Sequence, residues 1–246
     1  MKKIYQKQQG IALFIVIVLV MLSMLLALWA SRTSLFNEML ISNDADYQRA
    51  FEAAQSMLQD AELDISEKSS SGEFCKPSTT DANICRDRIN IKFPEEEKDL
   101  NDLLTAVNVS SKCIDNYCPK CLSAICQKRA SNQDFWNEPK LLQAMLAEGV
   151  GARYGTYTGA QKNEYINPIL TKTDSKEGAW YWIEVMPYDI NPSSLMASSN
   201  GNGAIKKWEL SLKPPIVYRI TAMARGLKPG TQVVLQSTFA RQKLKD

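Results

Sequence analysis

From Ile11 to Ala30 the chain reads IALFIVIVLVMLSMLLALWA, with Ser23 its only polar side chain. About 20 helical residues rising 1.5 Å each match a hydrocarbon core of roughly 30 Å, so the run predicts a membrane-spanning helix. The helical pattern continues beyond it. In YQRAFEAAQSMLQDAELDI, Tyr47, Phe51, Ala54, Leu58, Ala61 and Ile65 recur at alternating spacings of four and three, which predicts one buried helical face. Arg49, Glu52, Asp60, Glu62 and Asp64 fill other positions, and no proline or glycine interrupts the chain between Ile11 and Ser71. One helix from Ile11 to about Ile65 satisfies this pattern. So does a membrane anchor followed by a separate surface helix, with a break near Ser42, Asn43 and Asp44.

The pattern then changes twice. SEKSSSGEF, from Ser66 to Phe74, is a polar exit from the helix. Two short helices follow: PEEEKDLNDLLTAV, with Pro94 and three acidic residues in its first turn, and NEPKLLQAMLAEG, with Asn137 as N-cap, Pro139 in the first turn and Gly149 as terminator. From Ala179 onward AWYWIEVMPY, KKWELSLK, IVYRITAMARG and TQVVLQSTFARQ predict strands, being rich in aromatic and β-branched residues between Gly, Pro and Asn turns. In the third of these, Tyr218, Ile220, Ala222 and Ala224 share one face. An antiparallel sheet of about four strands packing one face on the Tyr47–Ile65 stripe would bury what neither element buries alone. Trp180 and Trp182 read as core residues of that sheet.

Composition narrows the chemistry. Histidine is absent from the 246 residues, which removes Ser/His/Asp and Cys/His catalysis and His-ligated zinc. The formal charge of +2 resides in the leader: without Lys2, Lys3 and Lys7 the 29 basic residues become 26, against 27 acidic ones. Direct nucleic-acid binding is not expected from that balance. The same three lysines, preceding the apolar run, orient the first ten residues to the cytoplasm and everything after Ala30 outside. A cleaved secretory signal is the alternative, but Leu28 and Trp29 before Ala30 make a poor cleavage site.

Six cysteines in a chain with an export-type start favour disulfides. Cys75 and Cys85 bracket KPSTTDANI, and CIDNYCPKCLSAIC holds Cys113, Cys118, Cys121 and Cys126. The first three of that cluster share the spacing of plant-type ferredoxin ligands, and CPKC fits a redox CxxC. An oxidising compartment argues against both. Six cysteines allow 15 pairings; Cys75 with Cys85 is the first choice, leaving the clustered four to pair among themselves. Other stretches carry little chemistry: SSNGNGAI lacks the acidic ligands of a calcium loop, GARYGTYTGA lacks the lysine of a phosphate-binding loop, and Asn108 in NVS is a common chance pattern. No catalytic residue, metal or cofactor is assigned.

The leader ending in Gly10, RAFEAAQSMLQDAE on the helix and YRITAMARG with TQVVLQSTFARQ near the C-terminus together resemble type IV pilins, specifically minor pilins of the PilX type. The resemblance covers both ends of the chain and leaves roughly the middle third without a match. It implies an α+β, type IV pilin-like fold: a long N-terminal helix packed on a C-terminal antiparallel sheet, with a disulfide-rich insertion. It implies a leader over 1–10, a transmembrane and filament-core helix over 11–30, an amphipathic stem over 31–66, a Cys-rich insertion over 67–178 and the sheet over 179–246. A prepilin peptidase would cut after Gly10 and methylate Ile11 as the new N-terminus. Most such pilins carry glutamate at the fifth mature position; here it is Ile15, a departure shared with the tip pseudopilin of type II secretion.

A charged amine buried among apolar helices needs an anionic partner, so a subunit without that glutamate is suited to being first in a filament. The resemblance therefore implies a structural subunit, not an enzyme, that starts pilus assembly near the tip and through it serves adhesion, twitching motility or DNA uptake. Its implied partners are other minor pilins, the major pilin, a tip adhesin and the peptidase. Before assembly it would be a single-pass inner-membrane protein with a periplasmic head; afterwards it would lie in the extracellular pilus. The rivals are a type II secretion pseudopilin and, from another class, a membrane-anchored envelope protein with a metal-binding Cys cluster.

Overall fold

Helix α1 (Gln9–Ile65) carries the apolar run and the amphipathic segment, with no helix break at Ser42, Asn43 or Asp44. The computed structural model describes residues 9–76, 81, 83–86, 91–110, 113, 117–129, 134–161, 166–174, 176–188 and 215–241. The leader lysines, the segment KKWELSLK and the turn SSNGNGAI lie outside them. The chain forms two compact units, Met1–Asp46 and Tyr47–Asp246. In the first, α1 is exposed throughout its apolar run, and Ser23 hides its hydroxyl by donating to the Val20 carbonyl at 2.8 Å.

The second unit is built on a five-stranded sheet in sequential order: β1 (Cys121–Leu122), β2 (Ile125–Gln127), β3 (Ala179–Pro187), β4 (Ile216–Arg225) and β5 (Gln232–Phe239). All pairs are antiparallel except β2 with β3. The fold is thus α+β and pilin-like, with the sheet drawing β1 and β2 from the Cys-rich region rather than from the C-terminal third alone. Ser123 and Ala124, both with positive φ (52° and 67°), make the β1–β2 turn, and the Cys121–Cys126 disulfide joins its two directly opposed residues. The middle region also contributes α2 (Glu97–Ser110), α3 (Pro139–Met145) and the single turn α4 (Pro168–Thr171). The N-cap of α3 is Glu138, one residue later than the expected Asn137, because Asn137 closes a 3-10 turn with Phe135 and Trp136. Gly149 lies beyond the end of α3, in a turn at φ +80°.

Alternation along the strands sends side chains to two faces, and both are covered. Tyr181, Ile183, Val185, Tyr218, Ile220, Ala222 and Ala224 join Ala50, Ala53, Ala54, Met57, Ala61 and Ile65 of α1 in the main core. The expected stripe faces this core: Ala54, Ala61 and Ile65 are buried in it and Phe51 and Leu58 pack against it, while Tyr47 is half exposed and Ala50, Ala53 and Met57 widen the buried face. The buried face thus mixes small methyl groups with the fully buried side chains of Met57 and Ile65. Trp180, Trp182 and Met223 point to the opposite face, where Phe135, Leu142, Met145 and Val150 cover them. Phe135 meets Trp182 edge-on at 4.9 Å, and the Trp182 indole donates to the Met145 carbonyl at 3.1 Å.

Burial raises the Tyr218 hydroxyl from 10.0 to about 12. The unfolded chain then gives up that proton first, so this stability is whole below the unfolded value and is lost as pH rises through the folded one. Urea midpoints measured from pH 9 to 12 should show Tyr218→Phe losing about 2–3 kcal/mol less than the parent across that window. Parallel curves would mean that Tyr218 ionises without unfolding.

Candidate functional site

The apolar stem is the first functional surface. Between Ile11 and Phe36 the leucine, isoleucine, valine, methionine, phenylalanine and tryptophan side chains are exposed, and the first acidic residue is Glu38. The helix is long and apolar enough to cross a membrane, with a mean hydropathy of 3.2 in its most apolar window and none of that window buried. An exposed strip this large is stable only against lipid or other apolar helices. Gly10 and Ile11 lie in the first turn of α1, and Ile15, one turn further on, is 55% exposed.

The six cysteines form three local bonds: Cys75–Cys85, Cys113–Cys118 and Cys121–Cys126. The three residues with ferredoxin-like spacing are thus divided between two disulfides, and the two cysteines of CPKC bond to different partners.

A second site was not anticipated from the pattern. Asp60 and Asp64, four residues apart on α1, lie on the buried side beside Met57, Ala61 and Ile65. Both are held by residues distant in the chain. Asp64 Oδ1 accepts from Arg86 Nε at 2.8 Å, and Oδ2 accepts from Arg86 Nη2 at 2.6 Å and from the Tyr181 hydroxyl at 2.8 Å. Asp60 accepts from the Gly155 amide at 2.8 Å and from the Thr158 hydroxyl. Two carboxylates therefore tie the stem helix to β3, to the 152–160 loop and to the disulfide loop that ends at Cys85.

Local chemistry delivers each partner. Cys85 and Arg86 both adopt positive φ, 62° and 50°, in a 3-10 turn fixed by the Cys75–Cys85 bond. Gly155 sits at φ +71°, where a Cβ would lie 2.3 Å from the Ala160 carbonyl oxygen, so only glycine presents its amide to Asp60. The Arg86 guanidinium stacks over Tyr157 at 3.8 Å and Phe93 at 4.9 Å. Burial alone would lower its pKa, but the charge and hydrogen bonds of Asp64 outweigh that and raise it, so Arg86 stays charged. Burial also pushes the Tyr181 hydroxyl well up, with Asp64 and Asp60 adding to the effect.

A smaller ionic cluster occupies the other face. Glu184 accepts from Arg219 Nε at 2.5 Å and from the Arg129 amide at 3.0 Å, while the Arg129 guanidinium lies 4.4 Å over Phe135. Arg153 stacks at 3.8 Å on Trp180 and donates to the carbonyls of Glu177 and Lys172. Its pKa falls to about 10, because burial lowers it more than Asp174 restores it and Arg225 lowers it further.

Removing one member of a buried ion pair leaves the other charge uncompensated, at a cost of about 3–5 kcal/mol. Arg86→Met should therefore destabilise the protein by roughly that amount in urea denaturation. Adding Asp64→Asn, which keeps an acceptor for Tyr181, should recover most of it. Additive losses in the double variant would mean that the two side chains act independently.

Residues 9–59 match the family model described as PilX N-terminal, and residues 122–241 match type IV pilus assembly protein PilX C-term. The two matches together span more than two-thirds of the chain, while Asp60, Asp64, Arg86 and five of the six cysteines fall between them. No curated protein and no solved structure matches the chain.

Proposed function

We propose, for a chain that belongs to the PilX family of type IV pilus proteins and is thereby a minor pilin, a place at or near the pilus tip, where it helps to start assembly. The observation that carries this reading is Ile15. No carboxylate occurs between Ile11 and Asn37, so the chain cannot neutralise the N-terminal amine of a subunit packed above it through its apolar segment. Unpaired charge in that environment costs several kcal/mol. The first subunit of a filament has no such neighbour to accommodate.

In this reading the precursor crosses the inner membrane once, with residues 1–10 cytoplasmic and the head periplasmic. A prepilin peptidase removes the leader after Gly10 and methylates Ile11. The α1 apolar surface then exchanges lipid for the helices of other minor pilins and the major pilin, and the head meets a tip adhesin outside the cell. Adhesion, twitching motility or DNA uptake would follow from the filament. PilX proteins are structural subunits, so no catalytic role is assigned. The type II secretion pseudopilin reading keeps only the missing glutamate in its favour, since both family matches are to pilus proteins.

Intact mass of the membrane-extracted chain should show loss of residues 1–10 and gain of one methyl group only in cells with prepilin peptidase. An uncut chain, or one cut beyond Ala30, would remove the processing assignment. Position is tested separately by Ile15→Glu: gold labelling of the parent should cluster at filament ends, and the variant should spread along the shaft. Parent label distributed along filaments would exclude the tip.

A further inference from the structure

Arg225 closes β4, and its half-buried guanidinium makes one hydrogen bond among the described residues: Nη1 donates to the Lys176 carbonyl at 2.9 Å. Nε and Nη2 bond to nothing there, yet neither is sealed from water. This is the same two-donor edge with which Arg86 grips Asp64, and on Arg225 it is open to a partner. No carboxylate of the head answers it. Burial lowers the Arg225 pKa and nothing restores it. The acids of the adjacent segment serve other cations, Asp174 acting on Arg153 and Glu177 pairing with Lys172 at 3.0 Å. Arg153 shares the Trp180 ring, at 3.8 Å against 5.8 Å for Arg225, so positive charge accumulates on this corner of the sheet.

Arg225 lines an open groove of about 500 Å³, within the size range of ligand sites, and no carboxylate is among the described residues of its wall. Helix α3 and the turn after it supply Pro139, Leu142, Leu146 and Ala147, while Gln143 adds an amide and Lys176 a second cation. Leu142 and Leu146, four residues apart, fall on one side of the helix. Leu146 and Ala147 are half-buried, and Gln143 and Lys176 are exposed. We infer that this groove takes an acidic, apolar segment of another polypeptide, with an apolar side chain on Leu142 and Leu146 and a neighbouring carboxylate on the Nε and Nη2 edge of Arg225, beside Lys176. Charge selects the sign of the partner, because neither cation has an acid among the described residues and a carboxylate matches two parallel N–H groups of a guanidinium. Gln143 selects a polypeptide, because its amide both donates to and accepts from a main chain, which a lipid tail has no means of using. An arginine set beside partly desolvated apolar contacts is also the composition of an interface hot spot. The surface is independent of where the subunit sits in a pilus.

The probe is a display library of random seven-residue peptides, selected on the detergent-solubilised full chain. Enriched peptides should carry aspartate or glutamate within two residues of an apolar side chain, and the best of them should bind saturably. Arg225→Gln should weaken that peptide about tenfold, and Lys176→Gln, at an exposed position, severalfold. Leu146→Ser should weaken it as well, with the charges left in place. Replacing the peptide's acid by its amide should reproduce the Arg225→Gln loss in the parent protein, and the two changes together should lose little more. Should Arg225→Gln fail to fold, Lys176→Gln and the amide peptide decide alone. Enrichment of peptides without acids, or an affinity unchanged by Lys176→Gln and by the amide, would overturn the inference. So would binding to vesicles of anionic lipid that is lost in Lys176→Gln while no peptide is enriched, which would give the surface to a membrane.

Discussion

The arrangement of the head depends on placing carboxylates inside it. A buried aspartate is tolerable only when charge and hydrogen bonds surround it, and Asp64 obtains them from a cation 22 residues later and a tyrosine 117 residues later. Each of these partners demands a condition of its own. Arg86 needs a backbone bent twice into the left-handed region, and Tyr181 needs β3 to lie directly under the helix. Asp60 makes a parallel demand on the 152–160 loop, which turns at Gly155 to present an amide. The helix end, the disulfide loop and the central strand are thus tied to one another through Asp64.

The sheet takes its position from this constraint. Its α1 side is lined by alanines, branched aliphatics and the rings of Tyr181 and Tyr218, while its other side carries two tryptophans roofed by Phe135 and Met145. Two unlike layers on one sheet explain why β3 is buried along almost its whole length. The Glu184 cluster and the Arg153 stack lie toward the margins of the second layer, where arginine side chains cover aromatic rings and bring their charge to carboxylate or carbonyl oxygens.

Much of the scaffold was legible in the amino-acid pattern because it rests on periodicity. The apolar run, α2, and strands β3, β4 and β5 follow from spacing and residue type. What was not legible rests on partners distant in the chain. Asp60 and Asp64 fall off the predicted apolar stripe and look like solvent-facing residues until Arg86, Gly155 and Thr158 are brought to them. The helical stripe was legible except at its start, where Tyr47 is half exposed, and in its breadth, since Ala50, Ala53 and Met57 are buried as well. The β1–β2 hairpin escaped notice because Ser123 and Ala124 occupy positions where Asn-Gly is the usual signal, and the disulfide across the pair supplies what the turn residues lack.

Each cysteine in this chain bonds to the next one along it, at separations of 10, 5 and 5 residues. Short loops close at low entropic cost, and consecutive pairing has a kinetic corollary. An oxidant that meets the thiols in chain order makes every native bond the first time, with no earlier bond to break. Quenching oxidative refolding with an alkylating agent would reveal one- and two-disulfide species with native pairs only; a populated cross-paired species would refute the ordering.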